Sequence, residues 1–465
     1  MMRRFSLLAL ALVVAACSSG PEVVVPATDS APPILDDAPT SDSPPADPAP
    51  SPEASDDDAI YPFDYQVRDF DNGLRAVVVP TGLPDIVSVQ IVMGTGSRDE
   101  IEPGRSGFAH FFEHMMFRGT ETMSADAYQT ALKRMGGDQN AYTSNDRTVY
   151  HTTLLTEDLD EMLAMEADRF QNLQYSEADF RTEALAVLGE YNKNFSSPIQ
   201  KLLEAQRKAA FDDHTYRHTT MGFIEDIEAM PEGYDYSLDF YERHYRPENA
   251  VVLIAGDVAP EATFEMIERH FGSWTPGYTA PEIPTEGSME GPLYEHVAWD
   301  GPTPPWVTVA FRGPGAYPTA ANAASGDMQA LDVIASLGFG ASSPLYQRLV
   351  VEEQVADVIS PYFPDSRDPF LLTILARVTD PAHAAYVRDE IQKELARLSV
   401  QPPDAQKLAD LKNSLTYGFA AGLDNTEAIA DAIVPVLSVS RDPETLNDIY
   451  RTYAAITPEA VREVA

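Results

Sequence analysis

The sequence predicts an α+β protein of two domains behind a disordered N-terminal tether. Three observations carry this. The body that follows the tether is about 400 residues long, more than one ordinary domain holds. Short apolar strand patterns alternate with capped helix patterns from residue 74 to 271. After a Pro/Gly-rich join near 276–292 the plan restarts with WVTVAFRG (306–313), a helix over 324–337 and the turn GFGASSP. That second pass has no histidine on the corresponding helix, so the pattern reads as an internal duplication of α+β units.

The chain opens with MMRRFSLLALALVVAACSSG, basic at Arg3 and Arg4 and apolar from Leu7 to Ala16. The apolar stretch is too short to span a bilayer and reads as a secretory signal. Val14-Ala15-Ala16-Cys17 resembles the lipobox of bacterial lipoproteins, which would make Cys17 the lipidated first residue of the processed chain. Cys17 is the only cysteine, so an exported form has no internal disulfide and its thiol is free to serve as the anchor. Ser18 resembles the pattern for delivery to the outer membrane, facing the periplasm. Residues 18–60 hold ten prolines, ten acidic residues and neither lysine nor arginine. Such a segment buries no core and reads as a tether, spanning roughly 35–40 Å as a flexible coil. The formal net charge of −41 exceeds what the tether contributes, so the body is acidic too. That sign argues against nucleic acid and against docking on anionic lipid, leaving the lipid anchor as the membrane contact.

Within the body, LRAVVVP (74–80) and IVSVQIVM (86–93) read as strands. SADAYQTALKRM is a capped helix stopped by Gly136-Gly137. Alternation across 141–155 predicts one further strand, and helices are expected over 156–173 and 176–208. Ser176 and Asp179 have the spacing of a reciprocal N-cap at the start of the latter. VVLIAGDV (251–258) is a strand and 260–271 a closing helix. The domains expected are thus 1–17 signal, 18–60 tether, 61–278 catalytic, 279–295 linker and 296–465 second domain.

The chemistry concentrates in residues 110–114, His-Phe-Phe-Glu-His. On a helix, i and i+4 share one face, so His110 and His114 can both point at one metal ion. Glu113 borders that face and can hold a water there without ligating the ion. H-x-x-E-H is the inverted order of the commoner zinc-peptidase signature. A catalytic zinc site needs a third protein ligand. Glu183 and Glu190, seven apart on the helix begun at Ser176, each offer a carboxylate, and spacing does not choose between them.

GSRDEIEPGRSGFAHFFEHMMFRGT, MGGDQNAYTSNDRTVYHTTL, HTYRHTTMGFIEDIEAM and FYERHYRPENAVVLIAGDV together resemble the pitrilysin, insulin-degrading enzyme and mitochondrial processing peptidase family. The resemblance is strong over about 61–275 and weaker over 290–465. It implies two duplicated α/β-sandwich domains, each a mostly antiparallel sheet with helices packed on it. It implies one Zn2+ per chain held by His110, His114 and the glutamate 76 residues past His114, which is Glu190. Glu183 then supports the ligands from behind, and Glu113 is the general base in peptide-bond hydrolysis. The resemblance also places Asn140 and Ala141 on an edge strand that pairs with the substrate backbone; Phe117, just past the zinc helix, is a candidate for a substrate subsite.

One departure bears on partners. Family members whose C-terminal half assists catalysis carry an arginine and a tyrosine seven residues apart, where this chain has Val350 and Asp357. That is compatible with a homodimer, or with a heterodimer in which a related subunit lacking the zinc motif supplies the donors. The competing reading is a non-catalytic, peptide-binding or structural lipoprotein subunit. Degenerate subunits usually lose part of the motif, whereas His110, Glu113, His114 and Glu190 are all present. His214 and His218 also lie four apart but read as a turn rather than a metal pair.

Overall fold

The computed structural model describes residues 59–317 and 326–465. Ile60–Ala465 form one compact unit. The signal segment, Cys17 and nearly all of the tether lie outside the described residues. Ile60, expected to end the tether, belongs to the body: its N–H and that of Tyr61 donate to Asn447 Oδ1, both at 3.1 Å.

The first half is built on six strands: β1 (Gln66–Asp69), β2 (Arg75–Pro80), β3 (Ile86–Met93), β4 (Asp138–Thr143), β5 (Thr148–Leu155) and β6 (Ala250–Gly256). Their order is β1-β2-β6-β3-β5-β4, with β2–β6 the parallel pair and every other pair antiparallel. The runs AVVV in β2 and AVVLIA in β6 are apolar on both faces because both faces are covered. Ala76 and Val78 point into one core, while Val77 and Val79 point into another. The first core lies under α1 (Phe108–Met115), α2 (Ala125–Arg134), α3 (Leu159–Asn172), α4 (Glu177–Asn194), α6 (Ile224–Ala229), α7 (Tyr234–His244) and α8 (Pro260–Phe271). Helix α5 (Pro198–Ala210) reaches towards the second half. The other core is closed by that half: Ile429, Ile433, Val434 and Leu437 lie against Val77, Val92, Val251 and Leu253.

Two expectations need correction. The single strand over 141–155 is a hairpin, because Ser144, Asn145 and Asp146 make a turn: the Ser144 N–H donates to Arg147 O at 2.8 Å. The single helix over 176–208 is two, because Pro198 has no N–H to give and its ring clashes with the carbonyl four residues back. Helix α4 stops at Asn194 and α5 restarts with Pro198 in its first turn.

The second half holds three strands among the described residues, β7 (Trp306–Arg312), β8 (Ala356–Tyr362) and β9 (Leu371–Val378), antiparallel in the order β7-β9-β8. Helix α9 (Asp327–Phe339) and the helix Ala384–Val400 pack on them. The molecule is α+β with two such units, as expected, but β1, β8, β9 and the helices beyond 384 were not read from sequence. Residues 274–305 carry no helix or strand. Glu286 pins this segment, its carboxylate accepting the N–H groups of Asp212, Asp213 and His214 at 2.9–3.0 Å.

The halves also meet through partly buried polar groups. Arg98 Nε donates to Asp368 Oδ2 at 2.6 Å, and His214 Nε2 lies 3.0 Å from the same oxygen. Burial pushes the Asp368 carboxyl up, but His214 and Arg98 together outweigh burial and hold it at about 2. The unfolded value is about 3.9. This contribution to stability is complete above that value and is lost as the pH falls towards 2. The Tm difference between wild type and Asp368→Asn should therefore be largest near neutrality and close below about pH 4. A difference that stays constant down to pH 2 would show that the clasp contributes nothing.

Candidate metal centre

Helix α1 starts at Gly107, whose φ of +92° is left-handed. A Cβ there would sit 2.4 Å from Ile227 Cδ1 and 2.7 Å from the Met221 carbonyl, so both angle and space require glycine. The first-turn N–H groups of a helix lack intrahelical partners. Glu100, fully buried, accepts two N–H groups here, from Gly107 and Ala109, at 2.8 and 2.7 Å. Burial nevertheless drives its carboxyl well above the usual range. Phe108, Phe111, Phe112 and Met115 bury one face of α1. Phe111 meets Phe180 of α4 edge-on, ring centroids 4.9 Å apart. That contact lays α4 across α1. Glu183 and Glu190, flanking the buried stripe of Phe180, Ala184, Val187 and Tyr191, then face the histidines.

The ligand-capable atoms of His110, His114 and Glu190 all lie within 4.8 Å of one another. Glu190 Oε2 is 3.6 Å from His110 Nε2 and 3.4 Å from His114 Nε2. Bonds of about 2.1 Å in a tetrahedron put ligand atoms about 3.4 Å apart, so this spacing suits zinc. Glu190 Oε2 is buried with hydrogen-bond geometry to no group, as an oxygen reserved for a cation would be. The His114 imidazole facing it, against the cost of burial, keeps the Glu190 carboxyl below its ordinary value. Burial lowers the His110 pKa and favours the neutral ring that a metal requires.

His114 Nδ1 lies 2.9 Å from Glu183 Oε1, and the other Glu183 oxygen pairs with Arg118. An Nδ1–H donated to Glu183 leaves the Nε2 lone pair turned towards Glu190. Glu113 does not join this cluster; its Oε2 accepts a hydrogen bond from Thr143 Oγ1 at 2.7 Å. β4 is the outermost strand, with Asn140 exposed and Ala141 buried. The Ala141 N–H donates to the Asn140 side chain at 2.9 Å. Phe117 is half-buried, 6.3 Å from the Tyr150 ring and with the Arg169 guanidinium 5.0 Å above it.

Two models of one family match this chain: "Insulinase (Peptidase family M16)" over residues 77–222 and "Peptidase M16 inactive domain" over 234–415. The chain belongs to the peptidase M16 family. It is 29% identical over 393 residues to the zinc protease PqqE of Helicobacter pylori, covering 82% of this chain and 85% of that protein. It is 25% identical over 402 residues to YmxG of Bacillus subtilis, an uncharacterized zinc protease, covering 85% and 93%. The crystal structure of a protease from Helicobacter pylori superposes with a TM-score of 0.80 at 26% identity, covering 86% of this chain and 95% of that one. Pitrilysin shares the fold at a TM-score of 0.66 and 20% identity, this chain matching 45% of its length.

Among the described residues, the second M16 unit brings no ligand to the centre. Val350 packs against the second half's own apolar core, around Val333, Leu349 and Ile374, and Asp357 is tied to Arg377 by two hydrogen bonds of 2.8 and 2.9 Å. His214 is engaged by Asp368 and by the Tyr216 N–H, and His218 Nδ1 faces the Thr219 carbonyl at 3.0 Å. Among the described residues they belong to no metal-capable group.

Sequence reading missed Thr143, Arg118 and Glu100. Thr143 shares a strand face with Ala141 and so left a periodic signal, whereas Arg118 lies past the end of α1 and left none. Glu100 left none either. Glu183→Ala, which frees both His114 and Arg118, should weaken zinc binding about 10–100-fold. Chelator competition on the folded variant checks this; an unchanged affinity would make Glu183 irrelevant to the ligand.

Proposed function

We propose that the protein is a zinc metalloendopeptidase that hydrolyses extended or short peptides outside the cytoplasm. The observation that carries this is the convergence of His110, His114 and Glu190, with Glu113 beside them and not among them. Zinc held by those three side chains would polarise the scissile carbonyl and acidify the attacking water. Glu113 takes a proton from that water and passes it to the leaving amine, acting as base and then acid. Glu183 keeps His114 in the ligating tautomer. The unpaired side of β4 receives the substrate backbone at Asn140 and Ala141 by strand addition, which selects extended chains over folded ones. Phe117 lines the wall beyond the zinc helix and contributes to a subsite.

Val350 and Asp357 support dependence on a second subunit, a copy of this chain or a relative without the zinc motif, that supplies donors to the substrate. The reading as a non-catalytic subunit is disfavoured because the metal-binding and base residues are intact and correctly disposed. Among the described residues no helix is long and apolar enough to cross a membrane. Lipidation at Cys17 and a tether to the periplasmic face of the outer membrane complete the proposal.

Glu113→Gln should keep one zinc per chain and lower peptide cleavage about 10²–10⁴-fold, measured with an unstructured peptide library and by metal analysis. Glu190→Ala should lose the metal. Full cleavage by the Glu113 variant, or no cleavage by zinc-loaded wild type alone or with co-expressed relatives, overturns the assignment. Cys17→Ser should move the full chain from the membrane fraction to the soluble one; retention in membranes refutes the anchor.

A further inference from the structure

We propose that Thr143 is a positioning residue that fixes the Glu113 carboxylate from the strand on which the substrate lies. This rests on the hydrolase reading above and extends it to a residue outside the motif. The Thr143 hydroxyl has one proton, and it goes to Glu113 Oε2 at 2.7 Å. The neighbouring hydroxyl of Thr148, 3.4 Å away, donates its own proton to the Thr95 carbonyl at 3.0 Å. The Thr148 oxygen is left as an acceptor towards Thr143, but it is uncharged and 3.4 Å away, so the Thr143 proton goes to the nearer Glu113 carboxylate. With Oε2 held, Oε1 is the oxygen through which Glu113 exchanges protons with the water and the amine.

The anchor behind Thr143 is stiff. Its β-branched side chain has restricted χ1 freedom, and it closes β4 at a buried turn. In that turn the Asn145 carbonyl accepts the Arg98 N–H at 2.7 Å. The Asp146 carboxylate accepts the Tyr216 hydroxyl at 2.7 Å and the Arg367 N–H at 2.9 Å. Glu113 is thus referenced to the same rigid hairpin that presents Asn140 and Ala141. A peptide aligned on β4 and the carboxylate that attacks it through water share one frame, which is what a near-attack geometry needs.

Valine is isosteric with threonine and favourable in strands, so Thr143→Val removes the hydrogen bond and little else. The zinc-loaded variant should lose about 10–100-fold in kcat with KM and zinc content within about twofold of wild type, and Thr143→Ser should recover most of the rate. A second readout needs no turnover. In a double-mutant cycle of Thr143→Val and Glu113→Ala on the Tm of the zinc-free protein, the two losses should be less than additive. Wild-type kcat in the valine variant, a rate loss not rescued by serine, or strict additivity overturns the role of Thr143 while leaving an active wild type as a hydrolase. An inactive zinc-loaded wild type overturns the hydrolase reading, and this inference with it.

Discussion

The contact of Phe111 with Phe180 is the constraint on which the centre depends, because it sets the distance between two helices that share no sequence neighbourhood. Each ring is fully buried and each sits within one helical turn of a polar group of the site: His110 beside Phe111, and Glu183 three residues past Phe180. The apolar faces drive α1 and α4 together, and the polar residues at their margins are carried into register. Burying two imidazoles and two carboxylates is unfavourable unless each is partnered. Glu183 is satisfied by His114 and Arg118, whereas Glu190 Oε2 and His110 Nδ1 have no hydrogen-bond partner. Packing elsewhere must offset that cost, and Phe108, Phe112, Phe240 and Tyr245 form a layer of ring contacts around α1.

The second half explains why the six-stranded sheet can be apolar on both faces. A sheet with helices on one side alone would alternate apolar and polar residues, and β2 and β6 do not. Ile429, Ile433, Val434 and Leu437 take the place of solvent, so the half matched by the "inactive domain" model is a structural wall of the first half. Its influence reaches the chemistry through the hairpin. The Arg367 N–H and the Tyr216 hydroxyl hold Asp146, Asp146 fixes the turn, and the turn ends the strand that carries Thr143.

How much was legible follows from the range of each interaction. The histidine pair and its glutamate are a matter of helical periodicity, which five residues suffice to express. Strands β2, β3 and β6 were legible because their runs of valine and isoleucine end at Gly or Pro. Choosing Glu190 over Glu183 was not possible from periodicity, since both lie on one face; the family spacing made the choice, and the structure puts Glu190 beside both rings and Glu183 behind one. The break at Pro198 was written in SSP and overlooked within a longer helical pattern. The hairpin turn at Ser144–Arg147 has neither Gly nor Pro, and its four polar residues sit inside an alternating run that hides it. β9 reads LLTILARV, an apolar run that a buried helix could equally supply. Glu100 could not be found because its partners are backbone N–H groups, which any sequence offers.

The asymmetry of the two halves bears on how the centre meets its substrate. His110, His114, Glu190, Glu113 and Thr143 all come from the first half, so the described residues build one wall of a site. A tetrahedral intermediate develops negative charge on the carbonyl oxygen, and donors that meet it must already be in place when the bond forms. Among the described residues of the second half, the two positions to which the family resemblance points for such donors hold Val350 and Asp357. Val350 is directed into its own core, and the charge of Asp357, of the wrong sign for an oxyanion, is spent on Arg377. On the hydrolase reading, the proposed second subunit would supply what faces the metal-binding side chains across the peptide, and β4, at the sheet edge, is the element proposed to receive the peptide.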